Sequence, residues 1–139
     1  MAICSADLLE RCSFPPRGTR VACAVSGGAD SLALLVLARA AGCDVTAIHV
    51  DHDLRPGSDR EADVVRAAAS RFGARFEGRV APVVSGPNLE ARARRARYDV
   101  LPADVLTGHT ADDQAETVLL NLLRGAALDG LRGISPERR

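Results

Sequence analysis

The chain contains no lysine and no tryptophan. All of its basic charge therefore sits on arginine, which excludes a Walker-type phosphate lysine and a Schiff-base lysine. Aromatic residues make up 3% of the 139 residues. Phe14, Phe72, Phe76 and Tyr98 are scattered, so a sheet face that stacks single-stranded bases is not expected. The formal net charge is zero, so a nucleic-acid partner would have to be met by a local basic patch. Cys4, Cys12, Cys23 and Cys43 form no C-x-x-C pair. That spacing suggests neither a zinc knuckle nor a redox pair and suits reduced thiols of a cytoplasmic protein. The apolar stretch from Leu32 to Ala41 is interrupted by Arg39 and is too short for a bilayer, so no membrane partner is expected. The first residues carry Asp7, Glu10 and Arg11 and lack a signal-peptide pattern.

What is present is a hydrophobic fraction of 47%, carried mainly by Ala, Val and Leu, in a length that suits one domain. Residues 1–19 read as an N-terminal extension, 20–134 as the domain and 135–139 as a tail. Short β-rich runs alternate with helical runs. Strands are expected at Arg20–Val25, Val45–Val50, Arg75–Val80 and Asp104–Thr107. Helices are expected at Asp30–Ala41, from Ser58 to about Phe72, at Asn88–Leu101 and from Thr110 to about Leu123, with a loose leading helix between Cys4 and Cys12. Strands separated by helices imply right-handed crossovers and an α/β, Rossmann-like parallel sheet with helices on both faces. In such sheets ligands bind beyond the carboxyl ends of the strands. Each unusual polar cluster in this chain falls just after an expected strand.

The first cluster is Ser26-Gly27-Gly28-Ala29-Asp30-Ser31. Its glycines permit positive φ and close approach of a ligand, and amides at a helix start point at anions. Ser26 and Ser31 add hydroxyls, and Asp30 would repel a bare phosphate, which favours a Mg2+ bridge. The alternative is a strand–helix turn whose Asp and Ser cap the helix. The spacing is neither G-x-G-x-x-G nor a Walker loop. The second cluster, His49-Val50-Asp51-His52-Asp53, places His49 and Asp51 on one strand face and His52 on the other. A metal site and a plain strand end are both open readings of it. The third is the arginine-rich run Arg92, Arg94, Arg95 and Arg97. Arg94 and Arg97 share a helix face, where phosphate contacts compete with an ordinary solvated surface. The fourth, Gly108 to Thr117, holds Asp112, Asp113 and Glu116. Helix capping by Thr110 and Asp113 explains one or two of these acids. Like charges four apart oppose a helix, and a bound cation would relieve that cost.

Together these runs resemble the pyrophosphate-loop domain of tRNA(Ile)-lysidine synthases. S-G-G-A-D-S is similar to the loop signature S-G-G-x-D-S. H-V-D-H-D-L-R-P-G-S resembles the family's second signature, with Asp53 where the family usually has Gly. E-A-R-A-R-R-A-R-Y resembles its A-R-x-x-R-Y helix, and H-T-A-D-D-Q-A-E-T its H-x-x-D-D-Q-x-E-T run. Farther on, Ala126 and Ala127 replace the usual Ser-Gly. The resemblance runs from about Arg20 to Ile134 and implies ATP, with Mg2+, cleaved between its α- and β-phosphates.

It further implies that Ser26, Gly27, Gly28, Ala29, Asp30, Ser31, His49, Asp51 and His109 bind the nucleotide. Asp30 and Asp113 would be the Mg2+ ligands and, with Arg97, the catalytic set. Arg94, Asp112 and Glu116 would face the substrate, with Gln114 in support. The implied reaction joins free L-lysine to the wobble cytidine of an isoleucine tRNA with a CAU anticodon. Members of this family continue past the point where this sequence stops. The resemblance therefore implies a sheet truncated at its C-terminal edge, and either a homodimer or a partner that supplies the C-terminal region. A non-catalytic or split ATP-binding paralogue, a related tRNA thiolation enzyme and a metal-dependent hydrolase are the other readings.

Overall fold

A computed structural model of the chain describes residues 5–53 and 59–109, together with residues 113, 115, 118 and 119. Four parallel strands form one sheet: β1 Arg20–Ala24, β2 Asp44–Asp51, β3 Arg75–Val80 and β4 Leu106–Thr107. Their order across the sheet is β3-β2-β1-β4. The helices are α1 Ser5–Leu9, α2 Ala29–Ala40, α3 Asp59–Arg71 and α4 Leu89–Asp99. The expected α/β sheet with helices on both faces is present.

The boundaries move for local reasons. β4 is two residues long rather than four because Val105 N–H donates to Pro102 O at 3.2 Å, which holds Asp104 and Val105 in a turn. α4 ends at Asp99 instead of Leu101 because Leu101 turns in to join the core. The leading helix is shorter than expected and stops at Leu9. β1 ends at Ala24 rather than Val25, and α2 begins one residue earlier than expected, at Ala29. The expected cap at Ser58, the Thr110 cap, Asp112, Gln114, Glu116 and the Ala126-Ala127 pair lie outside the described residues.

Alternation along the central strands assigns the two faces. Cys23, Val25, Val45 and Ala47 join Leu35 and Ala38 of α2 and Val65 and Ala69 of α3 in the main core. Ile48, on the opposite parity, packs with Leu101, Val105, Ala22, Ala24, Val50 and Tyr98. Both sheet faces are therefore apolar at the centre, which is why β1 and β2 read as nearly continuous hydrophobic runs. Arg39, near the end of α2, donates from Nη1 to Cys43 O at 2.6 Å and from Nε to Phe72 O at 3.0 Å. It thereby fastens α2 to the approach to β2 and to the end of α3. Ahead of β1, Phe14 packs on the main core, and Gly18 N–H donates to Gly42 O at 2.9 Å.

From β1 the chain steps outward through β2 to β3, then returns through α4 to place β4 on the other side of β1. The reversal between β1 and β4 is the topological switch point, where open α/β sheets bind ligands. Residues up to Gly108 and those from His109 onward form two compact units. In the second, Asp113, Ala115, Val118 and Leu119 are helical, in keeping with the final helix expected there. Among the described residues no helix is long and apolar enough to cross a membrane.

Cys23 and Cys43 are fully buried, whereas Cys12 is exposed. Burial, with a smaller contribution from Cys43, pushes the Cys23 thiol up to about 12. A raised folded-state value favours the neutral thiol in the native protein. That contribution is complete below the ordinary thiol range and is lost as pH climbs through about 12. Alkylation with peptide mapping should modify Cys12 in the native chain and reach Cys23 and Cys43 only after unfolding. The denaturation midpoint should fall as pH rises above the ordinary thiol range, and fall less steeply in Cys23→Ala. Native labelling of Cys23 would contradict this placement.

Candidate phosphate-binding site

The turn between β1 and α2 is built by its own hydroxyls. Ser31 donates from Oγ to Gly28 O at 2.9 Å and accepts from Ser26 N–H at 3.2 Å. Because the Ser31 proton is directed at Gly28, the 3.2 Å contact between the two hydroxyls has Ser26 as donor. Ser26 Oγ also accepts a long bond of 3.4 Å from Gly28 N–H. Ser31 is buried, so its hydroxyl braces the turn from inside. Gly27 has φ 93°, a conformation that side chains rarely adopt and that bends the chain into the helix.

The amides are the chemically distinctive part. The N-cap is Gly28, with no side-chain capping bond. Asp30 and Ser31 lie within the first turn and do not act as N-caps. Among the described residues the N–H groups of Gly27, Ala29, Asp30 and Ser31 meet no protein acceptor. Those donors stand at the positive end of a helix of 12 residues, an arrangement suited to an anion. The donor set thus fits a phosphate. Asp30 is exposed at the same helix start.

On the far side of the switch point, Gly108 follows β4 and lies against α2. A Cβ built on Gly108 would stand 2.8 Å from Asp30 O and 3.3 Å from Ser31 Cα. Both are backbone atoms that cannot turn aside. The sequence places this glycine at the head of the fourth cluster without a role of its own. Its only signal there is a place directly after an expected strand.

The second cluster serves as a set of cross-strand ties. His49 is 3% exposed. Its Nδ1 lies 2.9 Å from Val25 O, so Nδ1 carries the proton. His52 Nδ1 lies 3.1 Å from Ala81 O and secures the segment after β3. Asp51 Oδ1 accepts from Asp53 N–H at 2.8 Å, and Asp53 has φ 52°. Asp53 therefore adopts a backbone conformation that glycine takes freely, stabilised by an Asx turn. Among the described residues no three His, Cys, Asp or Glu side chains gather to hold an ion.

On α4, the Arg94 and Arg97 guanidinium groups stand 5.6 and 5.3 Å from the centre of the Tyr98 ring. Both lie within cation–π range. Arg97 Nε is closed off from solvent and has no hydrogen-bond partner among the described residues. Arg92 instead donates to Pro87 O at 3.1 Å. Arg94 and Arg97 are thus brought together on one face, as their spacing predicts. His109 and Asp113 belong to the second unit, and Asp112 and Glu116 lie outside the described residues.

A parallel sheet with an amide-lined glycine turn at its switch point defines a phosphate-binding α/β domain. The chain belongs to the PP-loop domain family, whose sequence profile matches residues 5–139. It is 48% identical over 129 residues to the tRNA(Ile)-lysidine synthase of Nocardia farcinica, covering 88% of this chain and 40% of that protein. The tRNA(Ile)-lysidine synthase of Bordetella pertussis is 42% identical over 137 residues, covering 89% of this chain and 43% of the relative. That of Thermus thermophilus is 47% identical over 117 residues, covering 75% and 23%. The chain thus spans less than half the length of these relatives. Among solved structures, the U34-tRNA thiolase NcsA from Methanococcus maripaludis, with its [4Fe-4S] cluster, superposes with a TM-score of 0.68 at 20% identity. The alignment covers 81% of this chain and 46% of the thiolase and reflects the shared fold.

The Gly108 contact can be tested without a ligand. Gly108→Ala should destabilise the chain by about 1–3 kcal/mol, as overfilling a close contact does. The Leu32 amide, which donates to Gly28 O at 3.0 Å in the first turn of α2, should exchange faster. Denaturant titration and amide exchange would check both. An unaltered Leu32 amide would show that Gly108 leaves the turn unaffected.

Proposed function

We propose that this chain is the ATP-binding and adenylating portion of a tRNA(Ile)-lysidine synthase. The observation that carries the reading is the set of N–H groups of Gly27, Ala29, Asp30 and Ser31, which meet no protein acceptor among the described residues, in a chain similar to lysidine synthases over most of its length. In this reading the turn holds the β- and γ-phosphates of ATP, with Ser26 and Ser31 fixing its shape. Asp30 would help to hold a Mg2+ ion, which would supply charge neutralisation to the phosphates. Asp113 is a second proposed ligand, on its signature alone. Asp51 and His109 belong to the nucleotide-binding set on the same ground, and His49 is proposed to serve it through the backbone that its ring holds.

The substrate is the wobble cytidine of an isoleucine tRNA with a CAU anticodon. Its O2 attacks the α-phosphorus, the bond to the β-phosphate oxygen breaks, and pyrophosphate leaves. The ε-amine of free L-lysine then attacks C2, loses a proton and displaces AMP, leaving a C–N bond. The protein contributes position and charge neutralisation. Arg97 is proposed to neutralise phosphate, because its Nε is desolvated and meets no acceptor among the described residues. Arg94 would contact the tRNA, and Asp112 and Glu116 would face lysine. The reaction would take place in the cytoplasm. A homodimer, or a partner chain carrying the portion of the relatives that this chain does not span, is proposed to complete the tRNA grip.

Incubation of the chain with transcribed tRNA, ATP, Mg2+ and lysine should give lysine-dependent AMP and pyrophosphate. Asp30→Ala should abolish this turnover and preserve the melting temperature. Alanine at Arg94 and Arg97 should lower kcat/KM by about tenfold or more, as loss of charge-assisted contacts does. ATP binding without lysine-dependent AMP would instead assign a non-catalytic or split role. Unchanged turnover in Asp30→Ala would remove the metal assignment.

A further inference from the structure

We propose that His49 is a positioning residue that ends the β1–β2 ladder and so keeps the Gly27 amide available to phosphate. The proposal rests on the nucleotide-binding reading and adds how the turn is kept open. The last rung of the ladder is Val25 N–H donating to Ile48 O at 2.9 Å, which follows from the pairing of Ala24 with Ile48. Parallel ladders repeat every two residues. One further repeat would pair Ser26 with Val50. It would take the Val25 carbonyl as acceptor for the Val50 N–H, and the Val50 carbonyl as acceptor for the Gly27 N–H. A buried carbonyl without a donor would favour that extension, because leaving it unpaired is costly.

The imidazole removes the incentive. His49 is the residue opposite Val25 in the same register, and its Nδ1–H donates to the Val25 carbonyl at 2.9 Å. Both residues are almost completely buried, with Val25 at 2% and His49 at 3% exposure. The carbonyl is therefore satisfied by a side chain where the sheet would otherwise use a main-chain amide. The strands separate there, and the next residues are free to form the turn. Nothing in this role requires the ring to touch the nucleotide.

Asparagine provides the discriminating substitution, because its amide nitrogen sits close to the position of Nδ1 and lacks an equivalent of Nε2. Three forms of the full chain should be compared: wild type, His49→Asn and His49→Leu. In the absence of nucleotide, the Val50 and Gly27 amides should exchange about tenfold slower in His49→Leu, as the ladder extends over them, and return to near the wild-type rate in His49→Asn. ATP affinity should fall about tenfold in His49→Leu and stay within about threefold of wild type in His49→Asn.

Unchanged Val50 and Gly27 amides in His49→Leu would overturn the proposal whether or not ATP binds. Equal loss of ATP affinity in both variants would overturn it in favour of a direct ring contact. A fall in melting temperature with normal affinity in both would reduce His49 to a core residue. Failure of wild type to bind ATP would count against the proposed function, while the exchange of the Val50 and Gly27 amides still decides the structural role. If His49→Leu does not fold, His49→Asn alone remains decisive: near-wild-type exchange and affinity support the tie, and loss of either overturns it.

Discussion

At Val25 the chain changes from sheet to turn, and the competition for main-chain amides at that junction governs the rest of the carboxyl edge. A backbone N–H can complete a ladder or point at a ligand, and a buried one must do something. A phosphate-binding turn placed directly after a central strand therefore needs a defined point at which pairing stops. Here the stop is made by several small commitments. Val25 N–H completes the last rung, the Val25 carbonyl is taken by His49, and Ser31 accepts from Ser26 N–H. Gly27 then turns the chain with φ 93°. What is left over is a set of amides at a helix start.

The body of the domain holds this junction from behind, and it does so unequally on the two sheet faces. On one face α2 is anchored at both ends. Its first turn is braced by Ser31 and closely approached by Gly108, and its last turn is tied by Arg39 to Cys43 O and Phe72 O. Leu35 and Ala38 are fully buried between those ends. On the other face α4 has no buried residue. Tyr98 packs against the second core cluster, and Arg79 donates to Val100 O just beyond the helix. α2 is embedded and fixed, while the cationic α4 is held lightly and keeps Arg94 and Arg95 exposed. A rigid donor set and a lightly held cationic surface suit different tasks: the first orients a compact anion, the second adapts to an extended one.

Much of this was legible in the sequence because its causes are local. Ala, Val and Leu runs punctuated by Gly42 and Gly73 defined strands and helices to within a residue or two. S-G-G-A-D-S announced the turn because only a few residue types allow that backbone. The pairing of Arg94 with Arg97 followed from helical spacing. The missed features depend on which strands become neighbours. Gly108 matters only because β4 returns beside β1 and brings it against Asp30 O. His49 and His52 left a metal site and a plain strand end both open, the second the stronger reading, until the register showed Val25 O and Ala81 O within reach of their rings. Four isolated acids and histidines per cluster do not reveal whether they face each other or the main chain.

Asp53 shows why resemblance between motifs is better judged on backbone demand than on residue identity. Its φ of 52° is the conformation that a glycine would supply there without strain. Asp51 Oδ1 accepts the Asp53 N–H and stabilises the same bend by a side-chain bond. The acid at position 51 thus has work inside the loop, independent of any ligand, and the extra carboxylate at position 53 is exposed. A motif rich in His and Asp therefore contains two kinds of residue. His49, His52 and Asp51 each satisfy a main-chain group, which fixes the backbone of the crevice wall. Asp30 and Arg97 differ in the opposite sense. Asp30 stands exposed at the helix start, and Arg97 has a desolvated Nε for which the described residues offer no acceptor. Residues whose polar atoms the fold has already satisfied shape the site, and those it leaves unsatisfied are where chemistry with a ligand is to be sought.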